Sequence, residues 1–182
     1  MGKAYKPSRK TLADIQPHLE YRIEMLLGTA MALQEPERGN DDHLATSCMR
    51  NALLEAFLIH ARALIDFLYG PKNPRPDDVV AEHFFDKPTE WTKGHATVPE
   101  LLDKVRNRAN KEIAHLTYVP SSMKPEDKEW PFVQIAVEIF SVLEDFTQSA
   151  EPAKLGKSLA DIIAKGARAL AAPGSFRITR ES

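Results

Sequence analysis

Apolar residues recur at helical spacing along most of the chain. Ile15, Leu19, Ile23, Leu26, Leu27, Ala30 and Leu33 share one face, which predicts an amphipathic helix over about residues 12–34. Pro17 stands near the expected start, where a proline is tolerated. Pro36 and Gly39 mark the end. Asn40-Asp41-Asp42 then forms a capping cluster, with acid at the positive end of a helix dipole. A second helix is expected from there to Tyr69, where Gly70-Pro71 stops it. From Leu53 to Leu68 it is apolar nearly all round, a pattern that belongs at the centre of a bundle.

Residues 70–98 read as a long, proline-rich connection of the kind that carries function or covers something. Asp77-Asp78 to Phe85 within it predicts a short helix with an acidic N-cap, and Trp91 is expected to pack onto the core. Leu101, Leu102, Val105, Ala109, Ile113 and Leu116 form the stripe of a third long helix over about residues 99–116, with Thr97 as its cap. A second proline-bearing loop spans 119–131. Phe132, Ile135, Ala136, Ile139, Leu143 and Phe146 predict a helix over 132–149. Leu155, Leu159, Ile162, Ile163 and Leu170 predict a weaker one over about 153–170. No segment alternates as a strand does. The expected fold is all-α, an up-and-down bundle of four long helices with a short crossover helix and a C-terminal helix. Residues 1–182 are read as one domain, with a loose lead at 1–10 and a tail at 173–182.

Composition changes this picture little. With 182 residues, 43% of them hydrophobic and 27% charged, the chain can bury a core without disulfides or metal. The formal net charge of −2 gives no overall field that points to nucleic acid or membrane. The single cysteine, Cys48, cannot form an internal bridge and reads as a small buried hydrophobe. The basic N-terminus has no apolar core region, so it is no secretory signal. No apolar run approaches the ~20 residues of a membrane span. The expectation is a cytoplasmic protein without membrane contact.

The third helix carries the candidate chemistry. Arg108 and His115 are seven positions apart, so they differ by only about 20° around the axis. Glu112 lies one turn from each. The three form a polar ridge on one flank of the apolar stripe, with Arg106 on the other side and Asn107 and Lys111 facing outward. Histidine can move a proton near neutral pH. Arginine can clamp a phosphate through two parallel hydrogen bonds and stabilise charge in a transition state. That pairing suits chemistry on a phosphodiester and needs no metal or other cofactor.

The segment Arg108-Ala109-Asn110-Lys111-Glu112-Ile113-Ala114-His115, late in a helical bundle, resembles the Arg-x(4–6)-His motif of HEPN-domain proteins. The resemblance implies a bundle that often dimerises. It also implies metal-independent endoribonuclease activity in the active members, with a composite site at the dimer interface. On that reading Arg108 and His115 are the catalytic residues, RNA is the partner, and the 2′-hydroxyl is the nucleophile.

Helix logic alone also accounts for these residues. Arg108 and Glu112 are an i,i+4 pair, and His115 near a helix C-terminus is favoured by the dipole. The alternative is therefore a non-catalytic helical scaffold or interaction module; a third option is a nucleotide-binding bundle without turnover. A second polar cluster, His60, Arg62 and Asp66, interrupts the central helix. Arg62 and Asp66 can pair, and His60 is expected to face the core. Their functional reading is a supporting shell that orients Arg108 or His115, with Glu55 a further candidate. The six histidines show no metal-site spacing. Lys154, Lys157, Lys165 and Arg168 give the last helix a basic side. An all-round apolar second helix is also more than one bundle covers easily, which points to a homodimer.

Overall fold

The computed structural model describes residues 7–35, 43–112 and 129–172. Among the described residues every regular element is helical. The long helices are α1 (Arg9–Gln34), α2 (His43–Tyr69), α4 (Glu100–Glu112) and α5 (Phe132–Ser149). A short α3 (Pro88–Gly94) lies in the crossover, and α6 (Lys157–Ala171) follows α5. None of these helices is long and apolar enough to cross a membrane.

α1 begins earlier than its apolar stripe suggests. The Ser8 hydroxyl accepts a hydrogen bond from the Thr11 backbone N–H at 3.1 Å, capping the helix. Pro17 therefore lies inside the helix, not at its start. An interior proline removes one backbone bond and crowds the carbonyl one turn back. Burial of Leu12, Gln16, Leu19 and Ile23 around it holds the segment helical.

α2 is the central element and packs against α1, α4 and α5. Phe57, Leu58, Ala61, Leu64, Ile65 and Leu68 are buried on several of its sides, as an all-round apolar helix requires. It ends at Gly70, whose φ of 77° is readily taken only by glycine. Its first half is much less covered. Leu44 is 75% exposed and Met49 69%, and Cys48 is exposed as well. The cysteine thus lies outside the core; its helical position faces away from α2's packed sides. The predicted cap at residues 40–42 lies outside the described residues.

The crossover differs from the single short helix expected at 77–85. The Asp78 carboxylate accepts the Arg75 backbone N–H at 2.6 Å and closes a turn there. Only Ala81–Phe84 coils, as a 3-10 turn. α3 then starts with Pro88 at its first turn, a placement suited to proline. It delivers Trp91 into the core at 3% exposure. The indole N–H donates to the Leu68 carbonyl at 2.7 Å, and the ring stacks on Phe85 and His95.

α6 starts later than its periodicity suggests because residues 151–156 are held in a turn. Gln16, buried on α1, accepts the Gly156 N–H and donates to the Lys154 carbonyl. Lys154 does not join a basic helix side. Its ammonium donates to the Phe85 carbonyl at 2.6 Å and pairs with Asp86 at 2.9 Å. α6 packs on α1 and α5, and Gly166 lets it approach the Phe140 ring.

Candidate functional site

α4 buries Leu102, Val105 and Ala109 and carries polar groups on both flanks of that stripe. On one flank, the Arg108 Nε and Nη2 donate to the two oxygens of Glu112 at 2.8 and 3.1 Å. This is the two-pronged geometry a guanidinium offers to any planar oxyanion. Nη1 reaches the Glu129 carbonyl at 3.3 Å. The guanidinium carbon lies 3.9 Å from the centre of the Trp130 ring, a cation–π contact. Both side chains of the pair are partly buried. Arg108 is thus oriented by a carboxylate, a carbonyl and a ring at once. His115, the expected proton carrier, lies outside the described residues.

The opposite flank holds a cluster that periodicity did not single out. Arg106 is a buried arginine, with only 10% of its side chain exposed. Its Nη1 donates to the Gly70 carbonyl at 3.1 Å and its Nη2 to Asp103 at 3.0 Å. Lys72, from the crossover, donates to Asn107 at 2.6 Å and lies 3.3 Å from Asp103. Arg62 on α2 donates to Asn110 at 3.0 Å. Asp66 sits between the two arginines, 3.7 Å from Arg62 and 3.7 Å from Arg106. Those distances are ion pairs and too long for hydrogen bonds. Asp66 Oδ1 and Arg106 Nε are accordingly buried without a hydrogen-bond partner. Burial holds the Asp66 carboxyl above the usual carboxylate range, against the pull of both arginines, and Asp78 adds to the push.

This arrangement redraws the expected supporting shell. Among the described residues, Arg62 and Asp66 make contact with Arg106 and Asn110, on the flank of α4 away from Arg108. His60 is buried, as its register predicts, but it faces α1. Its Nδ1 lies 3.4 Å from Arg22 and its ring meets Tyr21 edge-on. Burial lowers its pKa and the Arg22 charge lowers it further, so His60 is neutral at pH 7. With Nδ1 as acceptor from Arg22, the proton is assigned to Nε2. Glu55 is exposed on α2. Only Glu112 of the expected helpers touches Arg108.

The second cluster opens onto a cleft of about 410 Å³, walled by Arg62, Lys72, Arg75, Arg106, Asn107 and Asn110 together with Asp66 and Asp78. Three of these eight groups, Lys72, Arg75 and Asp78, come from a loop, where no period announces them. The legible signals were Arg62 and Asp66, which interrupt the apolar α2, and Arg106, an arginine bordering a buried stripe. Among the described residues no three histidine, cysteine or carboxylate side chains gather as a metal site would need. Comparison of the chain with known protein families, curated proteins and solved structures returns no match.

Proposed function

We propose that the chain is a HEPN-like helical bundle that binds and cleaves RNA, with Arg108 as the phosphate clamp and His115 as the proton carrier. The observation that supports this reading is the fork-on-carboxylate pairing of Arg108 with Glu112. A carboxylate held this way occupies the geometry in which a guanidinium receives a phosphate. Trp130 stacks behind the guanidinium and reduces the entropy lost when a ligand binds. In the cleavage step, histidine would take the proton from a ribose 2′-hydroxyl as its oxygen attacks the adjacent phosphorus. Arginine would stabilise the charge that develops on the phosphoryl oxygens, and the 5′-oxygen would leave with a proton.

A homodimer would complete such a site. Its support is the outward face of α2, where Ala45, Cys48, Met49, Ala52 and Ile59 are exposed, with the charge of Glu55 beside them. A second copy of the chain is the occupant this apolar face fits.

The same contacts favour a second reading. Glu112, the Glu129 carbonyl and Trp130 together account for every polar group of Arg108, so Arg108 can serve as a fastener between α4 and the segment entering α5 in a non-catalytic scaffold. Glu112→Gln separates the two. As a phosphate site, the variant loses the competing negative charge and binds single-stranded RNA several-fold tighter, with steeper salt dependence. As a fastener, it lowers thermal stability and leaves RNA binding undetectable in both forms.

A further inference from the structure

The cationic cleft beside α4 does not end at Asp66. A second cleft of about 400 Å³ runs between α1 and α2, over Ile15, Leu19, Ala63, Phe67 and Val79, with His18 and Arg22 also on its walls. Asp66, Pro71 and Asp78 belong to the walls of both. The two clefts therefore adjoin and together form a trough, cationic at one end and mostly apolar at the other, where Arg22 and His18 are the polar groups besides the shared carboxylates.

The ends differ in what they can bind. Arg62, Lys72, Arg75 and Arg106 bring four positive charges to the first. The carboxylates against them are Asp66 and Asp78 on the walls and Asp103 behind Arg106. Among the described residues the Arg75 guanidinium makes no hydrogen bond or ion pair, although its backbone N–H is fixed by Asp78. It lines the cleft, and the turn that Asp78 closes sets its place. Apart from Arg22 and His18, the second end offers aliphatic and aromatic carbon, which gains only if a ligand brings hydrocarbon to it.

We propose that this trough binds a small amphipathic phosphate monoester, its head held by Arg62, Lys72 and Arg75 and its hydrocarbon body lying over Ile15, Ala63 and Val79. Arginine takes phosphate through paired hydrogen bonds, and a phosphate head offers more acceptor oxygens to these donors than a carboxylate does. The site is separate from Arg108, which lies across the α4 stripe, and it holds whether or not the chain acts on RNA.

Isothermal titration at low ionic strength with inorganic phosphate, ethyl phosphate, hexyl phosphate and hexanoate tests it. Hexyl phosphate is expected to bind tightest, with affinity rising by up to roughly fourfold per buried methylene. Arg75→Ala is expected to weaken hexyl phosphate at least tenfold, while its unchanged melting temperature shows that the fold is intact. Val79→Asn should weaken hexyl phosphate and leave inorganic phosphate unaffected. The proposal is overturned if hexyl phosphate binds no better than inorganic phosphate, if hexanoate matches hexyl phosphate, or if Arg75→Ala retains full affinity.

Discussion

Two glycines on two helices predict opposite outcomes for the same substitution. A Cβ added at Gly166 would lie 2.1 Å from Cε1 and 2.5 Å from Cζ of Phe140. Ordinary carbon contact begins near ~3.5 Å, so the ring or the helix must give by about 1.4 Å. Phe140 is only 1% exposed and has little room to retreat. Overpacking on this scale costs about 3 kcal/mol, the upper end of its usual range. Alanine's better helix propensity returns about 1 kcal/mol. The net loss is about 2 kcal/mol, which lowers Tm by roughly 4–8 °C in a chain of this size. Gly28 meets no atom within 4 Å at the same construction. Gly28→Ala should therefore only gain, by about 1 kcal/mol and roughly 2–4 °C. Thermal melts followed by circular dichroism read both variants. Equal stabilisation by the two substitutions would refute the close approach of α6 to α5.

Pro17→Ala restores a backbone bond in the body of α1 and should raise stability by up to about 3 kcal/mol in urea titrations; a loss would mean that the proline ring contributes packing that its exposed position does not suggest. Gln16→Ala leaves the Gly156 N–H and the Lys154 carbonyl without their partner and should cost about 1–3 kcal/mol by the same measurement; an unchanged midpoint would mean that the 151–156 turn holds without it. Asp66 gives a pH signature. Its folded pKa is raised above the ordinary 3.8, so the folded state holds the proton more tightly than the unfolded chain. Its stabilising effect is present below pH 3.8 and is lost as pH rises through the folded pKa. Stability of the wild type relative to Asp66→Asn should fall across that window, and a rise would mean that the two arginines outweigh burial.

The long helices were legible because their burial repeats with the helical period. α5 was expected over the residues it occupies, bounded by Pro131 and by the polar Gln148-Ser149. The register of His60 placed it in the core correctly, since burial depends on angle around the axis alone. What it touches there depends on α1, and no local pattern in α2 names Arg22. The misread parts share one cause. Pro17, Lys154 and the 77–85 segment are each set by side-chain contacts: the Ser8 cap on Thr11 ahead of Pro17, the Phe85 carbonyl and Asp86 around Lys154, and the Asp78 carboxylate on the Arg75 backbone. Such contacts leave no periodic trace. The candidate site divides the same way. Arg108 and Glu112 share a ridge by spacing, whereas the Arg62, Lys72 and Arg106 cluster depends on a loop returning to α4.

The most direct test of the functional reading is incubation of single-stranded RNA with the protein in EDTA, beside the same oligonucleotide in deoxyribose form. The account predicts cleavage of the RNA alone, abolished by His115→Ala and by Arg108→Ala and insensitive to the chelator. No cleavage by the wild type, or cleavage that survives His115→Ala, would contradict it and leave Arg108 as the fastener of a scaffold.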